Sequence, residues 1–477
     1  MHRAPFILLL TLVAGWLLSA RGAGTNSLVW EKATDRVSAD VRGEALWPLL
    51  EDIAHQTGWH IFVEPGANRK ADVKFKDLPR GEALKKLLGD LNFALVPQTN
   101  SPDFLYVFTT TMRAASQRVA EANLAQHVAN ELLVKVKAGT DIDALAKSLG
   151  AKVVGRDDAL GIYQLRFANE ADMEAALAKL KTNPDVEAVG YNYIYNAPVA
   201  AQPVANASLQ PISLALDPAK KGDPCNPIVG LIDTRVQPLG GGLDQFVLPP
   251  ISVAGNLSGG VGSTQVQSLS ERTDLYAPQQ ASAAGVVISP THGTSMAETI
   301  LRAISQQSSS SSVRILPVDV YGDSELATSW NVAMGVKAAV EGGATILNMS
   351  LGTTADSPIL DSIIQQAIAN GVIVFAAAGN EPVATPNYPA AIPGVNAITA
   401  LGAPGQLASY ANYGDFVQMA LPGASLVVLG NQSYIVQGTS PASAYAAGVA
   451  AGYKTINCDT WLQIQAMMRQ RFPVPQR

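Results

Sequence analysis

The sequence predicts an α/β protein: a doubly wound parallel sheet in its C-terminal half, preceded by two smaller α+β units. Three observations predict it. From Ile228 onward, largely apolar runs of four to six residues, one of them with Arg314, alternate with helical patterns, as strands buried on both faces of a parallel sheet do. Residues 131–196 run strand, helix, strand, strand, helix, strand, the split-βαβ order. Residues 27–108 repeat one strand–helix–strand rhythm twice. The 477 residues exceed one ordinary domain, and a length prior gives about three folded units.

Taken in order, Met1-His2-Arg3 is a short basic start, and Ala4 to Leu18 is apolar apart from Pro5, Thr11 and Gly15. Small residues follow at Ser19, Ala20, Gly22 and Ala23. The run is short for a span of about 20 apolar residues, so residues 1–23 are expected to be a cleaved signal peptide, with an uncleaved anchor as the alternative. No later stretch reads as a transmembrane helix; Val372 to Ala378 fits a buried strand.

The next unit, residues 27–110, has Val37-Ser-Ala-Asp-Val as a strand, a helix from Glu44 to Ala54, and the strand Trp59 to Val63. Its second half repeats this with Asp72 to Phe75, a helix from Gly81 to Leu91, and strands Phe93 to Val96 and Phe104 to Phe108. The pattern resembles the small N-terminal modules of secretins and TonB-dependent receptors. That resemblance implies contact with a protein partner in the cell envelope, and a secreted or periplasmic location. His55 and His60 match no metal-ligand spacing on one helix face. Residues 111–130, rich in Ala and Gln, read as a connector.

Residues 131–196 carry strands at Leu132 to Val136, Lys152 to Val154, Tyr163 to Phe167 and Val186 to Tyr191, with helices at Asp141 to Leu149 and Ala171 to Leu180. Gly150 and Pro184 stop the helices. The arrangement is ferredoxin-like. Residues 197–224 are rich in Pro and Ala without periodicity and read as an exposed linker. Residues 225–460 form the α/β domain, with strands at Ile228 to Ile232, Val313 to Val318, Ile346 to Leu351, Val372 to Ala376 and Ala397 to Ala400. Helices at Trp330 to Glu341 and Ile359 to Ala369 lie between them, and residues 461–477 read as a tail.

Functional residues in such a sheet gather at the carboxyl ends of strands. The net charge of −6 argues against a nucleic-acid binder, which shows a basic face. Of the five histidines, His2, His55, His60, His127 and His292, only His292 lies in the α/β domain. A zinc enzyme there would need several His or Cys ligands, so this domain offers a single candidate base.

Asp233 ends the first apolar strand, where a carboxylate can fix an imidazole tautomer, although a loop cap is an equally ordinary role. His292 lies in Thr291-His-Gly-Thr-Ser-Met-Ala-Glu-Thr-Ile, at the start of a helical pattern that disfavours its cation. Ser440 lies in Gln437-Gly-Thr-Ser-Pro-Ala-Ser-Ala, with Pro441 expected at the first helical position. Asn380, in Phe375-Ala-Ala-Ala-Gly-Asn, follows another buried strand, and its amide suits either an oxyanion donor or a turn.

Together, in the order Asp233, His292, Asn380, Ser440, these motifs resemble the subtilisin-like serine peptidases. Asn348-Met-Ser-Leu-Gly, Asn387-Tyr-Pro-Ala-Ala-Ile-Pro-Gly-Val and Ala408-Ser-Tyr-Ala-Asn-Tyr-Gly fit the same family between Ile228 and Tyr453. The resemblance implies a secreted endopeptidase, acting on protein and peptide substrates through Asp233, His292 and Ser440, with Asn380 and the Ser440 N–H as oxyanion donors. It implies a substrate-binding strand at Ser350, Leu351 and Gly352. It makes residues 131–196 a pro-domain that inhibits its own peptidase, with an activation cut in residues 197–224. No cofactor motif is present; the family often holds calcium, but no calcium loop is evident.

Cys225 and Cys458 bracket the domain and are either a disulfide or two separate thiols. The chain departs from the family at Arg235, Ser295, Glu298, Pro441 and Ala444. An ion pair between Arg235 and Glu298 would make two departures one compensated change. The rivals are a catalytically inactive scaffold of the same fold and an N-terminal module released by a self-cleaving peptidase.

Overall fold

The computed structural model describes residues 26–31, 34–64, 67, 69–96, 103–110, 112, 115, 117–119, 127–204, 212–218, 223–254, 267–268, 289–402, 405–430 and 432–475. The expected signal peptide lies outside these residues, as do parts of the connector and linker. The chain divides into two compact units, meeting in sequence at Ala122 and Asn123.

The first unit contains β1 (Ser27–Glu31), β2 (Arg36–Ala45), α1 (Leu46–Thr57), β3 (His60–Val63), β4 (Lys70–Pro79), α2 (Arg80–Leu88), β5 (Asn92–Val96), β6 (Phe104–Phe108) and β7 (Gln117–Val119). Two sheets form, in the orders β1-β2-β4 and β5-β6-β3-β7. The helices face them with Leu49, Leu50, Ile53, Leu84, Leu87 and Leu88, all fully buried. Gly58, at φ 77°, closes α1 in the left-handed conformation that glycine adopts cheaply. β1 and β7 were not expected from the sequence; β7 uses part of the predicted connector to cover the free edge of β3. Glu64 joins the end of β3 to the end of β6. Its carboxylate accepts from the N–H groups of Thr109 and Thr110 at 2.6 and 2.8 Å and from their hydroxyls at 2.8 and 2.6 Å.

The second unit opens with β8 (His127–Val136), α3 (Ile142–Ser148), β9 (Lys152–Asp157), β10 (Ile162–Arg166), α4 (Glu170–Leu180) and β11 (Val186–Asn196). These give an antiparallel sheet ordered β11-β8-β10-β9, the ferredoxin-like arrangement that the sequence predicts. Asp141 and Asn169 cap the two helices through their side chains. Leu132, Val134 and Leu165 pack with those helices. Leu133 and Ile162 turn instead to the cluster of the following domain. Strand β8 is therefore buried on both faces, which explains the consecutive apolar residues Leu132, Leu133 and Val134.

The linker is more ordered than its composition suggested. β12 (Gln202–Pro203) and β13 (Ala215–Leu216) are short strands, and Ala201 and Leu214 are buried in the domain core. Pro-rich sequence lacks periodicity, but its backbone groups still fill sheet edges.

The α/β domain follows as β14 (Ile228–Asp233), β15 (Ile251–Ser252), β16 (Gln267–Ser268), α5 (His292–Ser305), β17 (Ser310–Ser311), β18 (Arg314–Asp319), β19 (Leu326–Thr328), α6 (Ser329–Glu341), β20 (Ile346–Met349), α7 (Pro358–Ala369), β21 (Ile373–Ala377), β22 (Asn396–Leu401), β23 (Met419–Pro422), β24 (Ala424–Leu429), β25 (Gln432–Gln437), α8 (Thr439–Asn457) and α9 (Trp461–Arg471). The main sheet runs β16-β15-β18-β14-β20-β21-β22-β23, parallel from β15 to β23. α5 and α8 pack on one face, α6 and α7 on the other. Strand order reverses at β14, the position where doubly wound sheets open a crevice.

The expected tail is a correction: α9 is capped by Thr460 and Gln463 and buries Ile464 and Met468, and the Phe472 carbonyl accepts from Ala420 N–H. The two cysteines are joined, 233 residues apart, tying the approach to β14 to the end of α8.

Serine at either cysteine is expected to lower the stability of the second unit by about 2–5 kcal/mol, read as a lower Tm by calorimetry; an unchanged Tm would contradict it. Hydrogen bonds from Thr110 and Thr109 lower the Glu64 pKa from 4.5 to about 2. A depressed carboxylate stabilises above its unfolded pKa and loses that contribution as pH falls toward the folded one. Thermal unfolding of the Glu64→Gln chain is therefore expected to depend less on pH between 4.5 and about 2 than that of the parent; equal dependence would refute the assignment.

Candidate active site

Asp233 ends β14 with hydrogen-bonded strands on both sides and is 1% exposed. Its Oδ1 accepts the Thr234 N–H at 2.7 Å. The loop that follows is stitched to the start of α5. Thr291 donates its hydroxyl to the Arg235 carbonyl at 2.6 Å, Gly293 N–H donates to Thr234 Oγ1 at 2.8 Å, and Gln237 Oε1 accepts from Thr291 N–H at 2.8 Å. A Cβ on Gly293 would lie 2.1 Å from the Thr234 carbonyl oxygen, so only glycine lets strand end and helix start approach this closely.

The stitching brings His292, the first residue of α5, against Asp233. Nδ1 lies 2.8 and 2.9 Å from the two carboxylate oxygens, and the ring is 3% exposed. An Nδ1–H donated to the carboxylate leaves the Nε2 lone pair available as a base. The carboxylate offsets the helix N-terminus, which alone disfavours the imidazolium.

Ser440 is the second residue of α8, and Pro441 the third rather than the first, because the helix starts at Thr439. The first four N–H groups of a helix have no acceptor within it, so proline is tolerated there and the Ser440 N–H lies among those unsatisfied by the helix. Asn380, after β21, takes the Thr439 N–H and hydroxyl on its Oδ1 at 2.8 and 3.0 Å. Its Nδ2 is the atom nearest to a Cβ built on Gly438, whose φ is 144°. The amide oxygen is thus fixed against the start of α8.

Ser350 joins the end of β20 to the same turn. Its hydroxyl donates to the Ser440 carbonyl at 3.1 Å, and Ser440 Oγ donates to the Ser350 carbonyl at 3.4 Å. Asn348 Nδ2 donates to Ser350 Oγ, and Ser443 Oγ donates to Asn348. Ser350 and Leu351 are buried, while Gly352 is partly exposed. Among the described residues no hydrogen bond joins Ser440 Oγ to His292; catalytic hydrogen bonds often tighten only with substrate bound.

The expected Arg235–Glu298 pair does not form. Arg235 lies 3.5 Å from Asp323 in an exposed contact. Glu298 points from α5 to Arg302, one helical turn on at 2.5 Å, and accepts the Val428 N–H at 2.8 Å. A contact one turn along the same helix needs no chain excursion, which the loop at Arg235 would have required. Burial holds the Glu298 carboxyl above its usual range, against the Val428 N–H and Arg302.

Sequence reading missed Asp319. It ends β18 opposite Asp233, is 8% exposed, and accepts N–H groups of Tyr321 and Gly322 at 3.0 and 2.8 Å. Burial raises its pKa despite those bonds. The signal was present, an Asp ending an apolar run as Asp233 does. Among the described residues, the grouping of metal-capable side chains is Asp223, Cys225 and Cys458, whose sulfurs are already bonded to each other.

Arranged this way, the carboxyl ends of β14, β20 and β21 and the first turns of α5 and α8 hold an acid–imidazole pair, a hydroxyl and an amide. Residues 225–472 match the subtilase family, and residues 113–192 match the fervidolysin N-terminal prodomain. The chain is 28% identical to a thermophilic serine proteinase of Bacillus sp. (strain AK1) over 347 residues, 70% of this chain and 80% of that one. It is 34% identical over 172 residues to a thermostable alkaline protease of Halalkalibacterium halodurans, covering 34% of this chain and 47% of the relative. The chain thus spans about half the length of that relative. Fervidolysin from Fervidobacterium pennivorans, a keratinolytic enzyme related to subtilisin, shares the fold, with TM-score 0.52, 18% identity, and coverage of 72% of this chain and 57% of that one.

Proposed function

The chain belongs to the subtilase family, and from that premise we propose that it is a serine endopeptidase made as a zymogen. The observation that carries the reading is the paired contact of His292 Nδ1 with both Asp233 oxygens at the start of α5. Ser440 Oγ attacks a peptide carbonyl while His292 Nε2 takes its proton. Asp233 holds the ring and stabilises the imidazolium. The Ser440 N–H and Asn380 Nδ2 hold the oxyanion. His292 gives the proton to the leaving amine, and water, activated by the same base, releases the acyl group. Ser350 to Gly352 lie beside the nucleophile and suit the substrate backbone.

Residues 131–196 are the inhibitory pro-domain in this proposal. Its strand β11 pairs antiparallel with β19 through Ile194 to Asn196, and β12 pairs with β25, which leads into Ser440. Residues 197–201 bridge these two strands, so the activation cut falls there. Ala201, Leu214, β12 and β13 then stay with the mature enzyme, since they are part of its core and sheet edges.

The N-terminal unit is proposed to bind an envelope protein, outside the cytoplasm. Its support is the secretin-like order of strands and helices and an outer sheet face on which Phe62 and Tyr106 stack at 5.2 Å with Phe104 edge-on to both. The disulfide suits an oxidising compartment.

A fluorophosphonate probe is expected to label the processed protein at Ser440 and to leave Ser440→Ala unlabelled. Absence of labelling after removal of the pro-domain would refute the peptidase reading. N-terminal sequencing of the processed chain is expected to begin between residues 198 and 201, with Ser440→Ala remaining intact. A mature N-terminus at or beyond Leu214 would overturn the assignment of the cut.

A further inference from the structure

The hairpin of β24 and β25 occupies a particular position. It closes at its mouth through the Gly438 N–H, which donates to the Gly423 carbonyl at 2.9 Å, and Ser440 follows two residues later. Among the described residues β24 has only β25 as a neighbour in its sheet, which leaves its far edge without a strand partner there. Two adjacent residues of α5 cover it. Glu298 Oε2 accepts the Val428 N–H at 2.8 Å, and Thr299 Oγ1 lies in hydrogen-bond contact with Ser425 Oγ at 2.8 Å. The second carboxylate oxygen of Glu298 is taken by Arg302 at 2.5 Å.

Glu298 is 4% exposed, and burying a carboxylate is costly unless it is paired and hydrogen-bonded. Arg302 alone would neutralise the charge. The Val428 bond adds a fixed direction, because a backbone N–H on a strand edge cannot reorient. The same helix begins with His292, six residues earlier, about 9 Å along the axis. α5 also touches α8 directly: a Cβ on Gly448 would lie 2.5 Å from the Ile300 carbonyl oxygen. The hairpin is thus a third body, joined by chain to the nucleophile and by Glu298 to the helix of the base.

We propose that Glu298 is a positioning residue: with Thr299 it locks the β24–β25 hairpin to α5, and so fixes the turn bearing Ser440 relative to His292. The proposal rests on the peptidase reading above. The buried charge of Glu298 is met by Arg302 and the strand edge rather than by Arg235.

The kinetic tests use the processed enzyme, and the exchange test uses the unprocessed Ser440→Ala chain. Misplacing reacting groups by about 1 Å costs up to about a hundredfold, so Glu298→Ala is expected to lower kcat and the fluorophosphonate labelling rate tenfold or more, with KM little changed. Glu298→Gln keeps an acceptor for Val428 and is expected to recover most of the loss. Hydrogen exchange at the Val428 amide, measured in Ser440→Ala chains, is expected to speed up in Glu298→Ala but not in Glu298→Gln. Should Glu298→Ala fail to accumulate, Ser425→Ala removes the neighbouring Thr299 contact without unpairing Arg302, and a smaller loss of the same kind is expected. The proposal is overturned if kcat and labelling stay at parental levels, if KM carries the change, or if Val428 exchange is unaltered by Glu298→Ala. If the parent enzyme neither labels nor hydrolyses, the peptidase reading fails, while Val428 exchange still decides whether Glu298 holds the hairpin.

Discussion

A carboxylate buried at the carboxyl end of a central strand is the constraint on which the rest of this molecule depends. Asp233 lies between β18 and β20 with almost no exposure, and an uncompensated charge there would be costly. It is satisfied by the Thr234 N–H and by the His292 ring. His292 can reach it only because Gly293, Thr291 and Gln237 draw α5 against the end of β14. One electrostatic requirement thus explains why a glycine, a threonine cap and a glutamine cluster around one aspartate.

The same economy governs the pro-domain boundary. Strand β8 is buried on both faces because one side serves its own helices and the other serves the larger domain. Asn192 joins the two parts: its Nδ2 donates to Glu131, which Arg166 also grips, and its Oδ1 accepts the Trp330 N–H at the start of α6. A polar group with no exposure has its partners divided between the two sides, so separation would leave groups on both to find water.

Much of this was legible in the sequence, where burial leaves a signature. The apolar runs at Ile228, Ile346 and Val372 are strands of the parallel sheet, and the split-βαβ order of the pro-domain is found as read. Asp233 and His292 come together, and Ser440 and Asn380 flank one turn, since motif residues at strand and helix ends are placed by the fold's topology. What was illegible depends on edges and partners. β12 and β13 are two residues each, too short to show a period, and exist because other strands offer hydrogen-bonding groups at their edges. The helix Trp461 to Arg471 buries only Ile464 and Met468, too few for its periodicity to stand out. Arg235 and Glu298 both depart from the family pattern, yet they do not pair. Their directions, one to Asp323 and one to Arg302 and Val428, depend on which face of α5 each element meets.

The central claim is that Asp233 holds the His292 Nδ1 proton in a buried hydrogen bond that leaves Nε2 as the base. Proton NMR of the parent and of the unprocessed variants tests it most directly. A single far-downfield ring N–H resonance, absent from both the Asp233→Asn and His292→Ala chains and retained in Ser440→Ala, is the predicted result. A spectrum without that resonance, or one in which it survives Asp233→Asn unchanged, would contradict the account.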